Sequence, residues 1–326
     1  MNTVTDKPLY AEAPEWSGRS DGPGPEHARW HSAISPFPLA NKRHSAPPGA
    51  VLLGFASDEG VERNHGRQGA AQGPAALRAA LGSLALHDDY PRYDAGTITT
   101  QGDDLEGAHQ ELSNAVKEII DDGHLVIILG GGHETAFGSH RGAYQAHHAP
   151  LNIINLDAHF DLRQAERPTS GTPFKQIADM VNADTPNSFR YSVLGISKPN
   201  NTKVLFDTAE ELGTTIHLDE ELVDLTPNEC AKLAHDIAAQ DQPVHLSIDL
   251  DVLPADIAPG VSAPAALGVS YDRIRAMAVA IAATGKLTLV DIVELNPDFD
   301  IDSRTAKAAA RLINDIIIAH AQATAD

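Results

Sequence analysis

Short, almost continuously apolar runs alternate along this chain with longer segments whose apolar residues recur every third or fourth position. The runs at 50–55, 125–129, 151–156, 190–196, 244–250 and 287–293 are rich in Val, Ile and Leu, as expected of strands covered on both faces in a parallel sheet. The helical period appears at 75–85, 105–120, 135–147, 227–239, 271–283 and 305–321. Local signals agree with it: Pro74 stands at a helix start, Gly123 at a helix end, and Thr226 where a cap is needed. Strands alternating with helices imply βαβ units, hence a doubly wound α/β domain with about eight mostly parallel strands. That domain is read as residues 49–326. Residues 1–48, rich in proline, glycine and charge, are read as an amino-terminal arm, which holds both tryptophans, Trp16 and Trp30.

Composition narrows the partners. The chain has 326 residues, of which 42% are hydrophobic, enough for a large core. Its 24 basic and 45 acidic residues give a net charge of −21, which repels nucleic acid and anionic membranes and favours a small-molecule partner. A single cysteine, Cys230, precludes an intrachain disulfide. With no apolar stretch of spanning length and no secretory pattern, a cytoplasmic location is expected.

In doubly wound sheets, ligands collect beyond the carboxyl ends of the strands. Gly-Gly-Gly-His-Glu follows the run at 125–129; it lacks the signature of a phosphate loop and reads as backbone tight enough to bring His133 inward. The run at 151–156 ends in Asp157, His159 and Asp161, and alternate residues of an extended chain point the same way, about 6.6 Å apart. Asp249 and Asp251 repeat this spacing at the end of the run 244–250, and Glu294 follows 287–293. An unpaired charge at the end of a buried strand is costly, and four such ends deliver ligand-type residues together. Four aspartates match the charge of two divalent cations. An oxygen-rich set with two imidazoles and no thiolate suits Mn²⁺ best, with Zn²⁺, Fe²⁺, Co²⁺ and Ni²⁺ also compatible. Water held between two such ions is a nucleophile at neutral pH, so hydrolysis at carbon or phosphorus is the expected reaction class.

The segments Gly-Gly-Gly-His-Glu, Asp-Ala-His-Phe-Asp and Ser-Ile-Asp-Leu-Asp-Val-Leu-Pro, in this order, resemble the three metal-binding segments of the ureohydrolase (arginase and agmatinase) family. The resemblance runs from about residue 51 to the end and implies a three-layer α/β/α fold, two Mn²⁺ per subunit and cleavage of a C–N bond in a guanidino or amidino group. It implies that His133 and Asp161 bind one ion, His159 and Asp251 the other, and that Asp157 and Asp249 bridge them. It further implies that Glu294 holds the cationic end of the substrate and that Asp161 helps to move the proton. A homo-oligomer is expected.

Two positions direct the choice of substrate. Ser170, in Thr-Ser-Gly-Thr-Pro-Phe, stands where arginases and agmatinases usually carry a histidine, and serine is no general acid near neutral pH. Ser-Gly-Thr-Pro-Phe resembles the formimidoylglutamase branch instead, as does the glycine-rich loop at 60–70. Arg163, two residues past Asp161, is suited to pair with a substrate carboxylate. The expected substrate is therefore an amidino dicarboxylate, N-formimidoyl-L-glutamate, split to L-glutamate and formamide in histidine degradation. A ureohydrolase acting on agmatine or a guanidino acid, an inactive metal-binding member of the family, and a zinc deacetylase are the alternatives. Arg67 is a weaker candidate for substrate contact, and His245, on the ligand-facing parity of its strand, reads as a core histidine.

Overall fold

The computed structural model describes residues 9–39 and 46–325. Ten strands make one sheet: β1 (Leu9–Ala11), β2 (Ser35–Pro36), β3 (Ala50–Ala56), β4 (Arg92–Thr99), β5 (Leu125–Leu129), β6 (Asn152–Leu156), β7 (Arg190–Ile196), β8 (Thr215–Leu218), β9 (Val244–Asp249) and β10 (Leu287–Val293). Their order is β1-β4-β3-β5-β10-β9-β6-β7-β8, with β2 also on β4, and every pairing is parallel except β1 with β4. The helices are α1 (Trp30–Ala33), α2 (Glu59–Arg63), α3 (Gly73–Gly82), α4 (Leu105–Asp121), α5 (Thr135–His147) and α6 (Pro173–Asp184) in the first half. The second half adds α7 (Lys203–Glu211), α8 (Asp219–Asp224), α9 (Pro227–Ala238), α10 (Tyr271–Ala282) and α11 (Arg304–Ala323).

Alternation along the strands builds three layers, because successive side chains leave a strand on opposite faces. Leu52, Ile127, Leu246 and Val290 join a core with α3, α9, α10 and α11. Val51, Leu53, Val126, Ile128 and Leu289 face a second core with α4 and α5. Ile153 and Val193 meet α6 and α7 in a third.

The six apolar runs read as strands all form, and four more strands join them, giving ten where about eight were expected. β4 carries Arg92 and Asp94 where an apolar run would be expected, yet both are buried. Asp94 is satisfied by the Arg78 guanidinium through two 2.8 Å bonds, and Arg92 pairs with Asp88 at 2.8 Å, so the strand buries charge without leaving it unpaired. β1, β2 and β8 are edge pieces of two to four residues, too short for a periodicity to show.

Residues 9–39 pack on the rest of the chain. Trp16 Nε1 donates to Asp94 Oδ2 at 2.8 Å, Trp30 Nε1 donates to Asn314 Oδ1 at 3.0 Å, and the two rings stack at 6.3 Å. Trp30 has no exposed surface. Trp30→Ala should therefore cost about 3–5 kcal/mol, the usual loss for emptying a large aromatic site; urea unfolding measures it, and a loss below about 1 kcal/mol would mean that the arm contributes little to the core.

Candidate metal centre and its cavity

The four strands that carry candidate ligands, β5, β10, β9 and β6, are consecutive neighbours at the centre of the sheet. Leu129, Ile292, Ile248 and Leu156 stand side by side in register, so the four strands end at one level. Residues just beyond that row therefore share a small volume. The glycine run follows the same row: Gly130 N donates to Ile292 O at 2.8 Å, and Glu294 N donates to Gly131 O at 2.8 Å. A Cβ at Gly131 would lie 1.8 Å from Ser57 O, so only glycine passes there. The chain then turns His133 inward, and its backbone N–H donates to Glu294 Oε1 at 2.8 Å. Asp161 and Glu294 have φ of +49° and +67°, a region that costs a non-glycine residue about 1–3 kcal/mol. Strain of this kind, at two acidic residues of one cluster, is typical of a functional site.

Two ligand groups result, each with its ligand atoms within 4.8 Å of one another: His133, Asp157, Asp161 and Asp249, then Asp157, His159 and Asp251. His133 Nδ1 lies 2.9 Å from Asp161 Oδ2, 3.1 Å from Asp249 Oδ2 and 3.2 Å from Asp157 Oδ2. His159 Nδ1 lies 3.1 Å from Asp251 Oδ2 and 3.6 Å from Asp157 Oδ1. Asp157 thus offers one oxygen to each group. One imidazole nitrogen carries at most one proton and cannot satisfy three carboxylates at once. Even with both imidazoles protonated, four aspartates leave the cluster two charges negative. Asp251 Oδ1 and Glu294 Oε2 are buried without a hydrogen-bond partner among the described residues. Unpaired oxygens, excess negative charge and an oxygen–nitrogen donor set all fit divalent cations.

The electrostatics carry the same imprint. Attraction to Asp251 pushes His159 up to about 12 against the opposing effect of burial. Burial depresses His133, but hydrogen bonds to Asp157, Asp161 and Asp249 outweigh it and hold the ring well above its usual range. Burial, then repulsion from Asp251 and Asp157, raises Asp249 well above an ordinary carboxyl. Burial and the nearby Glu134 charge push Glu294 to about 8. These shifts are what excess negative charge without a counter-cation produces.

Several supporting residues escaped the sequence reading. Asn155 Nδ2 donates to Asp157 Oδ2 at 2.9 Å, and Ser247 Oγ lies 2.9 Å from His133 Nε2. Each precedes an aspartate by two positions on its strand, so the alternate spacing that revealed the ligands also pointed at them. Phe174 sets its ring edgewise to His133 at 5.2 Å. His245 pairs with Asp291 at 2.7 Å and with His140 at 3.1 Å, all three without solvent exposure, as a core histidine should.

Above the cluster opens a cavity of about 350 Å³ lined by His133, His159, Asp161, Asp249, Asp251 and Glu294 together with Arg163, Ser170, Arg67 and Asn64. Arg163 is exposed to it, and among the described residues its guanidinium has no ion-pair or hydrogen-bond partner. Ser170 is buried and its Oγ accepts from Asn64 Nδ2 at 3.1 Å, which leaves the hydroxyl hydrogen free to donate. Arg67 is committed elsewhere: it donates to the carbonyls of Val261 and Ser262 and stacks 3.9 Å over Phe299. Asn64 lies in the glycine-rich loop at 60–70 but was not singled out as a candidate.

A parallel sheet whose central strand ends gather imidazoles and carboxylates beneath a polar cavity defines a metal-dependent hydrolase of α/β type. Residues 48–319 match the family model described as the Arginase family, and the chain belongs to that family. It is 53% identical over 309 residues to the formimidoylglutamase of Corynebacterium efficiens, covering 95% of this chain and 96% of that one. It is 48% identical over 314 residues to that of Rhodococcus opacus, with the same coverage of each chain. The crystal structure of Trypanosoma cruzi formiminoglutamase with Mn²⁺ superposes with a TM-score of 0.76 at 26% identity, over 88% of this chain and 97% of that one.

Binding a cation at these nitrogens requires loss of the protons they hold, so metal affinity should rise with pH and binding should release protons. Titration calorimetry in buffers of different ionisation enthalpy reads this directly. A net proton release above zero is expected, with a larger Mn²⁺-induced rise in melting temperature at about pH 8 than at about pH 6. Proton-neutral, pH-independent binding would contradict the assignment.

Proposed function

We propose that this chain is a formimidoylglutamase, hydrolysing N-formimidoyl-L-glutamate to L-glutamate and formamide with two Mn²⁺ ions per subunit. One observation carries the reading: the cavity that holds Glu294 against the candidate metal centre also holds Arg163, a guanidinium without a partner among the described residues. The substrate has matching ends, an amidinium and two carboxylates. The identities with curated formimidoylglutamases support the same substrate, and the Mn²⁺ in the Trypanosoma cruzi structure supports the metal. In this reading the catalytic domain is residues 49–326, with residues 1–48 as its arm, and the enzyme works as a homo-oligomer in the cytoplasm, in histidine degradation.

His133 and Asp161 would hold one ion, His159 and Asp251 the other, with Asp157 and Asp249 shared. The ions, when bound, supply water acidic enough to act as a nucleophile at neutral pH. Glu294 faces the amidinium; the free carboxyl lies near 8, and a cation beside it returns it to the ionised form. The ion pair orients the amidine carbon for attack. Arg163 takes a carboxylate with charge-assisted hydrogen bonds, while Ser170, its oxygen already accepting from Asn64, donates to the substrate. Asp161 takes the proton that the attacking water loses and passes it to the glutamate nitrogen as the C–N bond breaks. The second water proton leaves the hydroxyl on the tetrahedral carbon as the carbonyl forms and ends on the same nitrogen, so amidinium and water give formamide and the glutamate ammonium.

The decisive assay is release of formamide from formimidoylglutamate by the Mn²⁺-loaded protein; urea from agmatine or guanidinobutyrate without formamide would replace the reading. Arg163→Ala should raise KM by roughly ten- to a hundredfold, because charge-assisted hydrogen bonds contribute about 1.5–3 kcal/mol, and an unchanged KM would remove Arg163 from the site. Glu294→Gln keeps an acceptor for the His133 N–H while deleting the charge. It should lower kcat/KM by roughly a hundredfold or more with metal still bound, and full activity would refute its role.

A further inference from the structure

We propose that Arg63, which does not line the cavity, is the positioning residue that holds the substrate-reading rim in place; the inference rests on the formimidoylglutamase reading for the identity of the substrate. Arg63 ends α2, and its side chain is only 11% exposed. All five of its N–H groups are used. Nε donates to Glu59 Oε1 at 2.8 Å within α2. Nη1 donates to Glu106 Oε1 at 3.2 Å and to Pro168 O at 3.0 Å. Nη2 donates to Asp103 O at 2.6 Å and to Glu106 Oε2 at 3.2 Å. One guanidinium thus joins three segments: α2, the turn before α4, and the loop between Arg163 and Ser170.

Arg167, on that last loop, grips the same turn, donating to Asp103 and to both oxygens of Glu106. Burial works to raise the Glu106 carboxyl, but hydrogen bonds from Arg167 and Arg63 hold it down to about 2. Exposed ion pairs taken singly are weak; here a planar guanidinium is saturated by two carboxylates and two carbonyls.

The segments joined this way are those that present the substrate contacts. Ser170 N donates to Gly60 O at 3.0 Å, tying the loop to α2. Asn64, the next residue after Arg63, orients the Ser170 hydroxyl. Arg163 N donates to Gly171 O at 2.9 Å. A Cβ at Gly171 would lie 2.8 Å from Arg163 Cδ and 3.3 Å from Asn64 Nδ2, so the Arg163 side chain rests on a bare backbone beside Asn64. Release of Pro168 and Asp103 by loss of Arg63 would loosen this loop between its two reading residues. The candidate metal ligands, at and just beyond the strand ends below, make no contact with Arg63 and would stay in place. Lysine cannot substitute, since its three donors radiate from one point and cannot span the fork.

The test compares the Mn²⁺-loaded full chain with Arg63→Ala, Arg63→Lys and Glu106→Gln. Steady-state formamide release gives kcat and KM, product inhibition gives KI for L-glutamate, and metal titration gives the Mn²⁺ affinity. Arg63→Ala should raise KM and KI together by about tenfold while kcat stays within about twofold and Mn²⁺ affinity is unchanged. Arg63→Lys should resemble the alanine variant rather than the wild type, and Glu106→Gln should move both constants in the same direction by less. If Arg63→Ala does not fold, Arg63→Lys and Glu106→Gln decide by the same readout. A lowered melting temperature with KM and KI unmoved would mark a merely structural staple and overturn the proposal. Absence of formamide release by the wild type would instead overturn the substrate reading, and this inference with it.

Discussion

Four parallel strands ending at one level is the constraint on which the rest of this structure depends. Leu129, Ile292, Ile248 and Leu156 form a single row across the sheet, and the side chains after that row have nowhere to spread. Four aspartates placed there repel one another inside a volume from which water is largely excluded, and no arrangement of two imidazoles neutralises them. The charge is tolerable only with protons or cations among the carboxylates. Burial and repulsion raise Asp249, and the surrounding carboxylates raise His133 and His159, as that excess of negative charge requires.

Much of this was legible because parallel sheets impose a simple rule, in that the residue after a buried strand faces the ligand. Applied strand by strand it found His133, Asp157, His159, Asp161, Asp249, Asp251 and Glu294; the fold brings them together, six of them lining one cavity and Asp157 buried within the cluster. The alternate spacing held also for Asn155 and Ser247, which were passed over because an amide and a hydroxyl inside a strand have many ordinary explanations. β4 was illegible for a different reason. Its charges are neutralised by residues distant in sequence, Arg78 above all, and no local pattern announces a long-range pair. Asn64 and Arg63 belong to the same class: what each does depends on a loop about a hundred residues further on.

The cavity is asymmetric in charge, and that asymmetry is the basis of the proposed specificity. Its floor presents Glu294 and the acidic cluster, which call for cations. Its rim presents Arg163, beside the Asn64–Ser170 pair. A molecule with one amidinium and two carboxylates meets both needs, whereas a diamine would leave the rim guanidinium facing a like charge. The sheet therefore sets the chemistry and the two loops above it set the substrate, a division of labour that α/β enzymes use widely.

A crystal structure of the Mn²⁺-loaded protein with L-glutamate, with data collected at the manganese absorption edge, tests the account most directly. Two anomalous peaks are expected about 3.5–4 Å apart. One would lie among His133, Asp157, Asp161 and Asp249 and the other among Asp157, His159, Asp249 and Asp251, with a glutamate carboxylate on Arg163. A single peak, peaks away from these residues, or glutamate bound without contact to Arg163 would contradict it.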